Sequence, residues 1–211
     1  MATVQSISIV SARMRLERQA RLLAWTGIAW HVAECAIGVG AGIAAGSIAL
    51  VGFGADSLVE ALAGGVVLWL FTGRRIGSDG AERRAQQLVA VSFFLLAAYV
   101  TAESARTLLG GQHPETSWIG IGLAAFTAPT MPLLATLKRR VGNRLQSAAT
   151  VKEAAQTQLC AYLSVALLVG LLANALVGSW WADPTAALFI AAVAVKEGRQ
   201  SWRGEGCCDA C

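Results

Sequence analysis

The feature that most constrains the fold is a series of long apolar segments separated by short polar connections. Their bounds are residues 22–44, 46–72, 86–109, 117–137, 153–178 and 182–194. All but the last exceed roughly 17 residues, the usual lower limit for a helix that crosses a bilayer. The last is shorter, but Trp181 and Trp202 near its ends are interfacial anchors that extend its reach. We therefore predict an all-α integral membrane protein with six transmembrane helices.

The composition supports a membrane protein and argues against a nucleic-acid partner. Hydrophobic residues make up 55% of the 211-residue chain and charged residues only 14%, unlike an ordinary soluble domain. The net charge of +4 would suit nucleic acid, but the basic residues lie at the ends of apolar segments. Membrane topology explains that distribution better. The lipid bilayer is the expected partner.

The basic residues also predict the orientation. Apart from Arg106, every Lys and Arg lies in the N-terminal segment, the second or fourth connection, or the C-terminal tail. With six crossings these regions share one side, so we expect both termini in the cytoplasm, in a bacterial-type plasma (inner) membrane. The predicted division is a basic cytoplasmic segment at 1–21, a six-helix membrane domain at 22–198 and a short cytoplasmic Cys-containing tail at 199–211.

The second apolar segment carries two carboxylates, Asp56 and Glu60, one helical turn apart on one face. A charged side chain near the bilayer centre costs about 2.5–3.5 kcal/mol on insertion scales, so the pair calls for a compensating partner. Two hard oxygen ligands on a rigid helix resemble half of a divalent-metal site. The alternative is a pair of structural acids, one or both of them protonated, that are bonded to serine or backbone groups.

The fifth segment offers the complementary half of such a site. Glu153, Gln156 and Cys160 lie along one helical stripe, which Ser164 extends by a turn. Facing the acidic pair, this stripe would supply an amide oxygen and a thiolate, and the thiolate favours zinc or another thiophilic metal. Two alternatives stay open: Cys160 as a small buried hydrophobe, and Gln156 as a hydrogen-bonding group between helices.

The first segment adds His31, Glu34 and Cys35 on a shared face. An intramembrane glutamate is a functional candidate, so we interpret Glu34 as a group around the metal ligands or a proton acceptor on the path. His31 has two interpretations, as a ligand or as a hydrogen-bonded core histidine. Glu153 of the fifth segment is a further candidate for a group around the metal ligands or on the ion path.

The C-terminal tail contains Cys207, Cys208 and Cys211. In a reducing compartment such a cluster indicates metal capture rather than a disulfide, although a disordered thiol-bearing tail is equally open. If the tail is the working part, the chain is a non-transporting membrane metal sensor or metal-binding partner protein. A thiol enzyme is not expected, because Cys160 lacks a base at catalytic spacing.

Several of these residues resemble the cation diffusion facilitators, the cation efflux or zinc transporter-like superfamily. Residues 46–50, Gly-Ser-Ile-Ala-Leu, and 55–60, Ala-Asp-Ser-Leu-Val-Glu, are similar to the second membrane helix of that family. Residues 153–164 resemble its fifth helix, and Trp-Ala-Asp-Pro at 181–184 resembles the start of its sixth. The resemblance implies a small six-helix member without the family's C-terminal cytoplasmic domain.

The same resemblance implies a metal site formed by Asp56, Glu60, Gln156 and Cys160. This set departs from the family pattern, because glutamine replaces the usual histidine and cysteine replaces the usual aspartate in the fifth helix. At residue 60 a glutamate replaces the usual aspartate or histidine.

The implied function is efflux of a divalent transition-metal cation from the cytoplasm by proton-coupled alternating access. The cargo would be Zn²⁺, with Cd²⁺, Fe²⁺, Co²⁺ and Mn²⁺ as alternatives. The chain would thus be a secondary transporter and not an enzyme, with metal cations and protons as partners and no prosthetic group. By family analogy it would form a homodimer.

Overall fold

The computed structural model describes residues 2–72, 79–111 and 113–203, which form six α-helices. The helices are α1 (Ala2–Ala45), α2 (Ile48–Thr72), α3 (Asp79–Gly110), α4 (Trp118–Leu145), α5 (Ala148–Val177) and α6 (Ala182–Arg203). Each corresponds to one predicted apolar segment, and the described residues contain no β-strand. The all-α prediction is confirmed. The basic N-terminal segment is helical from Ala2 and continuous with the rest of α1.

Helices α1 to α5 each contain a stretch that is long and apolar enough to cross a membrane. Within the described ranges α6 does not meet that criterion, so its crossing stays a prediction. Its 22 residues nevertheless pack along α3 inside the bundle.

Helix α2 is central to the bundle. The main helix pairs are α1 with α2, α4 with α5 and α3 with α6, and α2 also contacts α3, α5 and α6. About 67% of its apolar stretch is buried, against 22–39% for the other four spanning helices. Polar side chains on α2 therefore have neighbours on several sides, which a helix at the lipid boundary would lack.

Glycines allow α1 and α2 to approach backbone to backbone. A Cβ built on Gly38 would lie 3.0 Å from the Cα of Gly54, and one built on Gly54 would lie 2.7 Å from the backbone nitrogen of Val39. Small residues at such a crossing are usual between membrane helices. The close approach holds the polar residues of α1 against those of α2.

The three short connections α1–α2, α3–α4 and α5–α6 meet at one end of the bundle. The backbone N–H of Glu115 donates to the carbonyl of Ala45 at 2.8 Å, and the Asn174 amide donates to the carbonyl of Pro114 at 2.9 Å. The turn between α1 and α2 requires a left-handed residue, which Gly46 supplies with a φ of 65°.

Asp183, near the start of α6, caps the N-terminus of α2 at this same end. Its carboxylate accepts hydrogen bonds from the Ser47 hydroxyl and from the backbone N–H groups of Ile48 and Ala49. A carboxylate at a helix N-terminus satisfies free donors and complements the helix dipole. The cap ties α6 to α2.

Candidate cation-binding site

The two acids of α2 point into the protein. Asp56 is 4% exposed and Glu60 is 6% exposed, whereas Leu58 and Leu62 on the opposite face are about half exposed. The helical period accounts for this division, because residues four apart share a face and residues two apart do not. The carboxylates therefore meet protein groups, and the leucines lie on the outer surface of the bundle.

Asp56, Glu60 and Gln156 line a narrow cleft between α2 and α5, as the shared-face interpretation requires. Phe93 of α3 and Glu197 of α6 lie in the same wall. The cleft has about 10 Å³ of free space, which suits one water molecule or one small ion and excludes an organic molecule. Glu197 is an acid that the sequence pattern did not single out, because it lies among basic residues at the end of α6.

A second polar cluster lies where α1, α2 and α5 meet, next to the cleft. The Nδ1 atom of His31 is 3.2 Å from the Oε2 atom of Glu34, and the Cys160 sulfur is 3.8 Å from the same oxygen. One ligand atom from each of the three residues lies within 4.8 Å of the other two. All three residues are at least 98% buried, and Cys160 faces this cluster and is absent from the residues that line the cleft.

Two hydroxyl groups orient the Glu34 carboxylate. Thr127 of α4 donates to Oε1 at 2.6 Å, and Ser57 of α2 is 3.0 Å from Oε2. Thr127 could not be identified from the sequence, because a threonine in an apolar helix usually bonds to its own backbone. Ser57 lay within the acidic motif but carries no charge that would have marked it.

Glu60 connects the cleft with the His31 cluster. Its Oε2 atom is 3.1 Å from the Nδ1 atom of His31, yet this oxygen has no hydrogen bond among the described residues. An imidazole Nδ1 carries at most one hydrogen, so it cannot donate to both Glu34 and Glu60. Glu60 therefore contributes a buried oxygen with a free lone pair to this region.

The charges around Glu60 are predominantly negative. Asp56 and Glu34 both repel it, and Lys138 is the basic group that acts on it favourably. Asp56 in turn is repelled by Glu34 and Glu197. A small positively charged ligand would relieve this repulsion.

Glu153 has a different environment from the other residues of its predicted stripe. Its Oε1 atom accepts a hydrogen bond from the Lys138 ammonium group at 2.8 Å, and this lysine also donates to the Thr157 hydroxyl at 3.1 Å. Lys138 is only 1% exposed, although it begins a run of basic residues that the sequence assigned to a connection. It fits beside Gly27, where a Cβ would lie 2.8 Å from its nitrogen.

The remaining residues that the sequence singled out are cysteines. Cys207, Cys208 and Cys211 lie outside the described residues, and Cys35 is half-buried beside the His31 cluster.

The family comparison agrees with the arrangement of these helices. Residues 24–203 match the family described as the cation efflux transmembrane domain, a range that extends from α1 to the end of α6. No curated protein matches the sequence. Because the match covers most of the 211-residue chain, this integral membrane protein belongs to the cation efflux, or cation diffusion facilitator, family of cation transporters.

Proposed function

We propose that the chain exports a divalent transition-metal ion, zinc or a zinc-like ion, from the cytoplasm in exchange for protons. The proposed ligands are Asp56, Glu60, Gln156 and Cys160. The observation that carries this proposal is the buried cleft in which two carboxylates and an amide meet beside a thiol.

The charge balance supports a cation as the natural occupant. Asp56 and Glu60 repel each other and are both repelled by Glu34. Lys138, the lysine whose charge favours ionised Glu60, is itself paired with Glu153 at 2.8 Å. Because an uncompensated buried charge is strongly destabilising, a divalent ion between these acids would gain much of its binding energy from their neutralisation.

The donor set supports a transition metal and proton exchange. A thiolate and carboxylates bind zinc, cadmium, cobalt and iron(II) well, and manganese is favoured by the oxygen ligands alone. A thiol and carboxylic acids must release their protons when the metal binds and take them up when it leaves. Metal transport and proton transport are coupled by that exchange.

Alternating access is the proposed means of entry and exit. The cleft has about 10 Å³ of free space, too little for an ion that carries its water shell. An ion therefore reaches Asp56 and Glu60 when the packing of α2 against α5 and α6 changes.

Transport by purified protein in proteoliposomes under an imposed proton gradient tests this proposal. We expect movement of at least one of zinc, cadmium, cobalt, iron(II) and manganese. The combined variant Asp56→Asn with Glu60→Gln should reduce the rate more than about tenfold, because even groups that only orient a metal ligand contribute that much. Glu103→Gln is the matched control, since this carboxylate forms a local ion pair with Arg106 at 2.7 Å. Equal transport by the double variant and the wild type would contradict the proposal.

A further inference from the structure

We infer that the ion path contains a second cation position, formed by His31, Glu34 and Cys160. The position lies on the α1 side of α2, next to the cleft that Asp56 and Gln156 line. Its place in the path rests on the transport function proposed above. The binding of a metal ion there is a separate property and is tested separately.

The spacing of the three side chains suits a metal ion. Around a tetrahedral zinc ion with bonds of about 2.0–2.3 Å, the ligand atoms are about 3.3–3.8 Å apart. The distance from His31 Nδ1 to Glu34 Oε2 is 3.2 Å, and that from Cys160 Sγ to the same oxygen is 3.8 Å. All three ligand atoms lie within 4.8 Å of one another, so only small rotamer adjustments are needed.

The free oxygen of Glu60 is an independent indication of a ligand. Oε2 of Glu60 is buried without a hydrogen bond among the described residues, and it lies 3.1 Å from His31 Nδ1. A buried polar atom without a partner costs about 1–3 kcal/mol. A metal ion bound by the imidazole would be within reach of this oxygen. The ligand set would then consist of one nitrogen from His31, the carboxylates of Glu34 and Glu60, and the thiolate of Cys160.

Glu34 is oriented as a ligating carboxylate should be. Thr127 and Ser57 hold its two oxygens from α4 and α2, at 2.6 and 3.0 Å. Metal-binding carboxylates are usually hydrogen-bonded in this way by residues that do not touch the metal. Both hydroxyls remain able to donate after the ion has taken the lone pairs that now face His31 and Cys160.

The two positions adjoin through Glu60 and Cys160. Glu60 lines the cleft and also faces His31, while the Cys160 thiol is 3.8 Å from Glu34 beside the cleft. An ion that moves between the positions keeps these two ligands and exchanges Asp56 and Gln156 for Glu34 and His31. Such a stepwise exchange avoids complete loss of coordination in the membrane interior.

The histidine content of the chain allows a direct test. The sequence contains two histidines, His31 and His113, and the cleft ligands include none. An imidazole ligand on bound zinc therefore identifies the second position. We suggest zinc-edge X-ray absorption on full-length protein that carries one equivalent of zinc and was purified without a polyhistidine tag.

We expect imidazole scattering from the zinc-loaded wild type. The variant His31→Gln should lose that scattering, and the matched control His113→Gln, at the far end of the bundle, should keep it. The combined variant Asp56→Asn with Gln156→Ala should still bind zinc with an imidazole ligand. Glu34→Gln should weaken zinc binding at least about tenfold, whereas Glu103→Gln should leave it unchanged.

Zinc-loaded wild type without an imidazole ligand, or wild type that binds no zinc, would overturn the inference. The wild-type spectrum decides this point, so a variant that fails to fold does not obscure it. Transport without an imidazole ligand would leave the proposed function intact and reject the second position. An imidazole ligand without transport in vesicles would support the second position as a metal site and contradict the proposed function.

Discussion

Each buried carboxylate of this protein has its own environment, and the environments separate structural acids from functional ones. Glu153 has a lysine partner at 2.8 Å, and Asp183 accepts hydrogen bonds from the start of α2. Glu34 is held by hydroxyl groups and a histidine. Asp56 and Glu60 line a narrow cleft, and Glu60 Oε2 lies 3.1 Å from His31 Nδ1 without a hydrogen bond among the described residues. We propose that Asp56 and Glu60 bind the cargo in the cleft, and we infer that Glu34 binds it at the second position.

Removing one partner of the Lys138–Glu153 pair should destabilise the fold strongly. Lys138→Met leaves a buried charge without a partner, so we expect a loss of about 3–5 kcal/mol in the free energy of unfolding. The combined variant Lys138→Met with Glu153→Gln should regain most of that loss, because it carries no ionised group there. Chemical unfolding in detergent micelles measures both values.

Arg106→Met is the matched control for this comparison. Arg106 forms an ion pair with Glu103 at 2.7 Å, but its side chain is 77% exposed. Exposed pairs contribute about 0–1 kcal/mol, so this variant should remain close to the wild type. If the single Lys138 variant is as stable as the Arg106 variant, the buried pair has no structural role.

At the scale of helices, the close approach of α1 and α2 assembles the polar centre. Gly38 and Gly54 let the two backbones touch, which brings His31 and Glu34 to Ser57 and Glu60. A larger side chain at the crossing would separate the helices. The distances on which a shared metal ion depends would then increase.

The substitution Gly54→Ala tests this relation. Its Cβ would lie 2.7 Å from the backbone nitrogen of Val39, and backbone cannot move aside as a flexible side chain can. We expect a loss of about 1–3 kcal/mol in stability from overpacking and weaker zinc binding in the same variant. Gly40→Ala is the control, because a Cβ there meets nothing within 4 Å. Equal zinc affinity in the two variants would show that the crossing does not position the site.

At the scale of the whole molecule, the end at which three short connections meet is opposite to the basic ends of α4 and α6. The connections are joined by hydrogen bonds from Glu115 and Asn174. If the basic end faces the cytoplasm, as the positive-inside rule predicts, both termini lie there. We further propose the division into a cytoplasmic segment at 1–21, a membrane domain at 22–198 and a cytoplasmic tail at 199–211. We also propose that two copies of the chain form a homodimer.

Reporter fusions test this topology and the crossing of α6 together. Alkaline phosphatase inserted after Gly111 or after Gly178 should be active, because the proposal places both connections outside. The same reporter at the C-terminus should be inactive, and a fluorescent protein there should fluoresce. An active phosphatase at the C-terminus would mean that α6 does not cross the membrane.

The helices, the shared face of Asp56 and Glu60 and the family resemblance could all be predicted from the amino-acid sequence. These properties are local, because hydropathy and the helical period act between residues that are close in the chain. The contacts of each buried polar side chain, in contrast, depend on how the helices pack. Glu34 meets Thr127 across 93 residues, and Asp183 caps α2 across 135 residues, contacts that no local pattern specifies.

The predicted stripe of α5 shows why the sequence could not go further. Glu153 and Gln156 differ by about 60° around the helix axis, a spread wide enough to meet different neighbours. Gln156 lines the cleft, Cys160 faces Glu34 and Glu153 pairs with Lys138. The periodicity of one helix defines which residues share a side. Which neighbour each of them contacts depends on how closely the helices pack, a property of the folded molecule that one helix cannot specify.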